Sequence, residues 1–133
     1  MKRILGIDYG EKRVGLAISD GEGRIALVLQ TVHHHDMRTA AAQVAEVVHQ
    51  ENISTVVVGL PLTMSGHMGE RAQRTRRFIQ LLRSLLTDVE MVELDERLSS
   101  KLAQKLISNG DIDQKSALLI LQDYLDRKNP ATF

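Results

Sequence analysis

The chain has 133 residues, 43% of them hydrophobic, with no cysteine and with 17 basic against 17 acidic side chains. That length fits one domain over residues 1–133 with its own core, and the missing cysteines exclude a disulfide framework and a thiolate metal site, leaving oxygen and imidazole as metal donors. The formal net charge of zero excludes a whole-molecule pull on nucleic acid, and the first apolar run breaks at Asp8, too early for a signal peptide or membrane span, so a cytoplasmic protein without a membrane partner is expected.

Residues 4–9, 14–19 and 25–32 are apolar runs of strand length, separated by the turn formers Gly10-Glu11-Lys12-Arg13 and Asp20-Gly21-Glu22-Gly23, and they predict two hairpins. Alternation puts Ile4, Gly6 and Asp8 on one face of the first strand and Leu5, Ile7 and Tyr9 on the other. Asp is a poor strand former, and a carboxylate held against a sheet loses hydration at a cost of several kcal/mol unless a cation or donors compensate it. Its plain alternative is a bond to the turn amides of Gly10 and Glu11. The flanking glycines Gly6 and Gly10 clear space for a ligand. Arg13, just after the turn, is placed to meet a phosphate near Asp8, unless it pairs with Glu11 or Asp20. His33-His34-His35 ends the third strand, where at most two rings share a face, and is set aside as a metal site.

Asp36 caps a first helix carrying Met37, Ala41, Val44 and Val48 and running to Asn52. Ser54-Thr55-Val56-Val57-Val58-Gly59 then reads as a central parallel strand covered on both sides. The loop over residues 60–69 is long and expected to be mobile, and Gly59, Pro61 and Gly66 are expected to shape it over the site; His67 within it is left out of the catalytic set. A second helix turns Phe78, Leu81, Leu82 and Leu85 to one side and carries Arg71, Arg74, Arg76, Arg77 and Arg83 against the single acid Glu70. That local excess suits a phosphate backbone, or else is a solvated face.

Residues 89–94 predict a fifth strand, followed by Asp95-Glu96-Arg97, where open α/β sheets place ligands. If that segment is extended, only one of the two adjacent acids faces Asp8. Ser99 or Ser100 caps a third helix stopped by Asn109-Gly110, and Asp113 caps a last helix with Ala117, Ile120, Leu121, Tyr124 and Leu125 inward, ending before Asn129-Pro130. The order predicts an α/β fold of RNase H-like type, a mixed five-stranded sheet made of a three-stranded antiparallel meander and two parallel strands, flanked by helices on both faces. Such a fold could bring Asp8, Glu96 and Asp113 together. Two-metal phosphodiester hydrolysis needs acidic oxygens from different elements converging on cations roughly 4 Å apart, and hard oxygen ligands select Mg²⁺ or Mn²⁺. With four aromatic residues, two Tyr and two Phe, base stacking of the single-strand-binding kind is not supported.

Gly6-Ile7-Asp8-Tyr9-Gly10 with Arg13-Val14-Gly15, Val58-Gly59-Leu60-Pro61-Leu62 with Gly66, Asp95-Glu96-Arg97-Leu98-Ser99, and Asp113 with Ile120-Leu121-Gln122-Asp123-Tyr124-Leu125 together resemble the YqgF family, also called RuvX, pre-16S rRNA nucleases related to the RuvC Holliday-junction resolvases. The resemblance covers nearly the whole chain. It implies an RNase H-like fold, a cytoplasmic location, a carboxylate triad on Asp8, Glu96 and Asp113 that also holds the metal, and processing of the 5′ end of pre-16S rRNA. The chain departs in carrying Ser116-Ala117 where similar proteins have two alanines, and Ser116 stands where related resolvases have a fourth acid.

The expected activity is therefore endonucleolytic hydrolysis of structured nucleic acid, with Gly10, Arg13, Gly59, Pro61, Gly66, Arg71 and Arg74 on the substrate. Resolution of four-way DNA junctions is the alternative within the enzyme class, and it requires two active sites and hence a homodimer. Outside that class stand a non-catalytic, nucleic-acid-binding ribosome-assembly factor and an ATP-binding protein of the actin type, the latter needing a second lobe that 133 residues cannot supply.

Overall fold

A computed structural model describes residues 2–63, 65–95 and 112–129, the side chains of 112–114 excepted. The first three runs form β1 (Arg3–Tyr9), β2 (Arg13–Ser19) and β3 (Ala26–His33), an antiparallel meander. The third strand starts one residue later than its apolar run. The Asp20 carboxylate accepts from the backbone N–H groups of Arg24 at 2.9 Å and Ile25 at 3.2 Å, which keeps Ile25 in the turn. The helix α1 (Met37–Gln50) begins at the expected cap, where the Asp36 carboxylate accepts from Thr39 N at 2.8 Å, and it is followed by Asn52 at φ 55, a left-handed conformation that Asn tolerates.

Chain reversal there leads into β4 (Ile53–Leu60), then α2 (Glu70–Leu85), β5 (Glu90–Asp95) and α3 (Ile112–Lys128). Among the described residues the strands form one five-stranded sheet in the order β3-β2-β1-β4-β5, in which β1–β4 and β4–β5 are parallel. This is the expected meander-plus-two arrangement. The helix expected after Ser99 or Ser100 lies outside the described residues. Asp113 is the second residue of α3, inside the first turn rather than the cap before it.

The helices divide between the faces. Leu5, Ile7, Val14, Leu16, Val56 and Val58 of the sheet meet Val44 and Val48 of α1 and Phe78, Ile79 and Leu82 of α2 in one aliphatic core. On the opposite face Ile4, Ala17, Ala26, Val57 and Leu94 meet Ala117, Ile120, Leu121 and Leu125 of α3. No helix among the described residues is long and apolar enough to cross a membrane.

Candidate active site

Asp8 is the penultimate residue of the central strand β1 and lies half-buried on the α3 face. Its backbone neighbours on that side are glycines. Gly6 precedes it on the same face, Gly15 is its cross-strand partner on β2, and continuing the register Ile7 to Val58 sets Gly59 beside it on β4. A carboxylate flanked by glycine on both neighbouring strands can be approached by a bulky anionic chain down to the backbone.

The packing of α3 explains the same sparseness further down the strand. A Cβ on Gly6 would lie 2.6 Å from Leu121 Cβ and 3.1 Å from the Ala117 carbonyl oxygen, so glycine there lets the helix backbone press onto the sheet. The C-terminal half of α3 is tied to the β2–β3 turn. Gln122 accepts from Ala26 N and donates to Arg24 O, both at 2.9 Å, and Asn129 donates to Gly23 O at 3.0 Å. Because that turn lies at the opposite end of the sheet from Asp8, α3 points its N-terminus toward Asp8. Asp113, about one turn before Ala117, therefore lies toward the Asp8 end of the sheet.

Asp95 is the last residue of β5, paired with Leu60, and the alternation that turns Leu94 onto the α3 face turns Asp95 onto the other. Asp95 is therefore not on the Asp8 side. Glu96 lies outside the described residues, as does the side chain of Asp113, and among the described residues no three His, Asp or Glu side chains converge on a metal position.

Arg13 opens β2 on the Asp8 face, level with Gly10, while Asp20 bonds its own turn and Glu11 pairs with Arg74; Arg13 itself is not without a partner. Gly10 is required sterically, since a Cβ there would lie 2.7 Å from the Arg13 carbonyl oxygen. Pro61 follows β4, and the loop expected to be mobile is built around a turn: Gly66 N donates to Thr63 O at 2.8 Å, Thr63 N to His67 O at 2.9 Å, and Gly66 holds φ 88, a conformation open to glycine. His67 is exposed, its Nδ1 2.8 Å from Ser65 Oγ.

On the far side of β1, a cleft of about 320 Å³ opens between the β1–β2 turn and α2, walled by Tyr9, Gly10, Glu11, Arg71, Arg74 and Thr75. Arg71 and Arg74 therefore line one cleft, but Arg74 is bound by Glu11 and, at 2.7 Å, by Glu70, while Arg76 forks onto Glu93 through Nε at 3.1 Å and Nη2 at 2.7 Å. Sequence reading missed Tyr9, Glu11 and Thr75 as cleft walls and Gly15 as the neighbour of Asp8. Gly15 was within reach of hairpin register, but the Glu11–Arg74 pair spans 63 residues and leaves no local signal. The histidine run is structural in its middle member. His34 is 6% exposed, with Nε2 2.9 Å from Gly10 O and Nδ1 3.1 Å from Asp36 O.

A family model described as RuvX, Holliday junction resolvase, matches residues 2–127. A Chloroflexus aggregans protein named "Putative pre-16S rRNA nuclease" is 46% identical over 138 residues, covering 96% of this chain and 96% of its own. An Acetivibrio thermocellus protein of the same name is 38% identical over 136 residues, covering 95% and 96%. In fold, the chain is similar to Thermus thermophilus RuvC in complex with a Holliday junction substrate, with a TM-score of 0.70 at 15% identity, covering 98% of this chain and 97% of that one.

Proposed function

The chain belongs to the RuvX family of Holliday junction resolvases and is a nuclease, and from that premise we propose that it cuts structured RNA endonucleolytically at Asp8, with the 5′ end of pre-16S rRNA as substrate. The observation that carries this reading is the Asp8 carboxylate at the open end of the central strand, with glycine beside it on both neighbouring strands. The name shared by its relatives supports RNA over branched DNA.

Asp8 is the acid around which the site is assembled. Glu96, the next residue in the sequence after β5, and Asp113, in the first turn of α3, are the acids that the family resemblance joins to it. All three are carboxylates, the hard-oxygen chemistry that suits Mg²⁺ or Mn²⁺. Asp8, Glu96 and Asp113 would hold such a cation, which would supply Lewis-acid stabilisation of the scissile phosphate and a more acidic attacking water. The chain's own contribution is placement. Gly15 and Gly59 admit the phosphate to Asp8, Arg13 offsets charge on the same face, Gly10 fixes the turn, Pro61 and the Gly66 turn border the site, and Arg71 and Arg74 hold the strand beyond it.

Offering wild-type protein a pre-16S rRNA fragment spanning the mature 5′ end and, separately, a four-way DNA junction tests the substrate. Cleavage of the RNA in Mg²⁺ or Mn²⁺, abolished by EDTA, is expected. Cutting of the junction alone, by a protein that sediments as a dimer, would replace this reading with junction resolution.

A further inference from the structure

The arginines of α2 form the local basic excess of the chain, yet Arg74 is already occupied from two sides, by Glu11 of the β1–β2 turn and by Glu70 one helical turn back. Two carboxylates thus share one guanidinium. Arg71, on the same cleft, makes no ion pair among the described residues. Tyr9, a wall of the cleft, is 9% exposed, with its ring stacked on Phe78 at 4.4 Å. Burial raises the Tyr9 hydroxyl pKa against a smaller opposing pull from Arg74, which keeps it a donor.

Glu11 is delivered to Arg74 by a braced turn. His34 N donates to Lys12 O at 3.0 Å, His34 Nε2 lies 2.9 Å from Gly10 O, and the His34 ring stacks on Tyr9 at 5.9 Å. The Glu11 side chain is 65% exposed, so water screens the ion pair and its exchange for another anion is cheap. A phosphate offers Arg the same bidentate geometry as a carboxylate.

We propose that this cleft, one residue from Asp8, seats a backbone phosphate of the nucleic-acid strand between Arg71, Arg74 and the Tyr9 hydroxyl, and that Glu11 occupies the phosphate position on Arg74 until the strand displaces it. Glu11 thereby sets the binding threshold and favours strands that also engage Arg71 and Asp8 over those offering an isolated phosphate. The inference rests on the nuclease reading above.

The test is fluorescence anisotropy with a fluorescein-labelled RNA stem-loop bearing a single-stranded tail, in EDTA so that no cleavage intervenes, with each variant's melting curve recorded. Glu11→Gln should tighten binding roughly two- to fivefold at low salt, with a steeper dependence on salt, and Arg71→Ala and Tyr9→Phe should each weaken it. The gain from Glu11→Gln should vanish in an Arg74→Ala background. A gain of equal size in that background, no gain at all, or affinity indifferent to Arg71→Ala and Tyr9→Phe would overturn the proposal. If wild type cuts RNA but ignores these changes, only this inference falls; if wild type neither binds nor cuts RNA, the nuclease reading falls with it.

Discussion

Toward α1 and α2 the central strand β1 presents Leu5, Ile7 and Tyr9; toward α3 it presents Ile4, Gly6 and Asp8. The neighbouring strands follow suit, with Val14, Leu16, Val56 and Val58 on the first side and Gly15, Ala17, Val57 and Gly59 on the second. The first face fills its space with branched aliphatics and with Phe78, and so carries the larger apolar core among the described residues. The second gives up side-chain volume. Near Gly6 the vacated space is taken by the backbone of α3.

That contrast can be broken by substitution. The largest effect on stability is expected for Phe78→Ala, fully buried against the first face, which should cost about 3–5 kcal/mol in urea unfolding. Gly6→Ala, a single added methyl on the second face, should still cost about 1–3 kcal/mol, because its nearest neighbours are Leu121 Cβ and the α3 backbone rather than a flexible side-chain tip. Gly15→Val sharpens the comparison: beside Asp8 the added bulk should lower the cleavage rate by roughly ten- to a hundredfold with a much smaller change in unfolding midpoint. A Gly15→Val protein that loses stability but cuts normally would put Gly15 with the packing glycines.

The smallest effect is at the edge of the first face, where Asp36 caps α1. Its hydrogen bonds from the Thr39 N–H, then the Thr39 hydroxyl, hold its carboxyl below the ordinary carboxylate value. The folded state therefore favours the charged form, so the contribution is present above the ordinary value and is lost as pH falls through the lowered one. Asp36→Asn keeps a capping oxygen and should flatten that part of the acid limb in melting curves.

What could be read in advance was what local chemistry dictates. The Asp36 cap, the turn formers at Gly10 and Asp20 and the two-residue alternation around Asp8 each act within a few residues, and from them the meander and the parallel pair followed. Less legible was whatever depends on partners brought from afar. The arginines of α2 looked free because Glu11 and Glu93, which neutralise Arg74 and Arg76, lie on other elements. The turn within the loop after β4 was not legible because it is made by side-chain and backbone bonds among Thr63, Ser65 and His67 that hydropathy does not register. Glu96 lies outside the described residues, so the triad is a proposal resting on Asp8 and on the backbone position of Asp113.

The most direct test of the central claim is the single-turnover cleavage rate of Asp8→Asn against wild type on a pre-16S rRNA fragment in saturating Mg²⁺, with both proteins shown by their melting curves to be folded. Loss of a metal-holding carboxylate should exceed the roughly ten- to hundredfold typical of losing a group that merely orients a ligand, so a fall of more than a hundredfold is predicted. An Asp8→Asn protein that cuts at the wild-type rate would contradict the account.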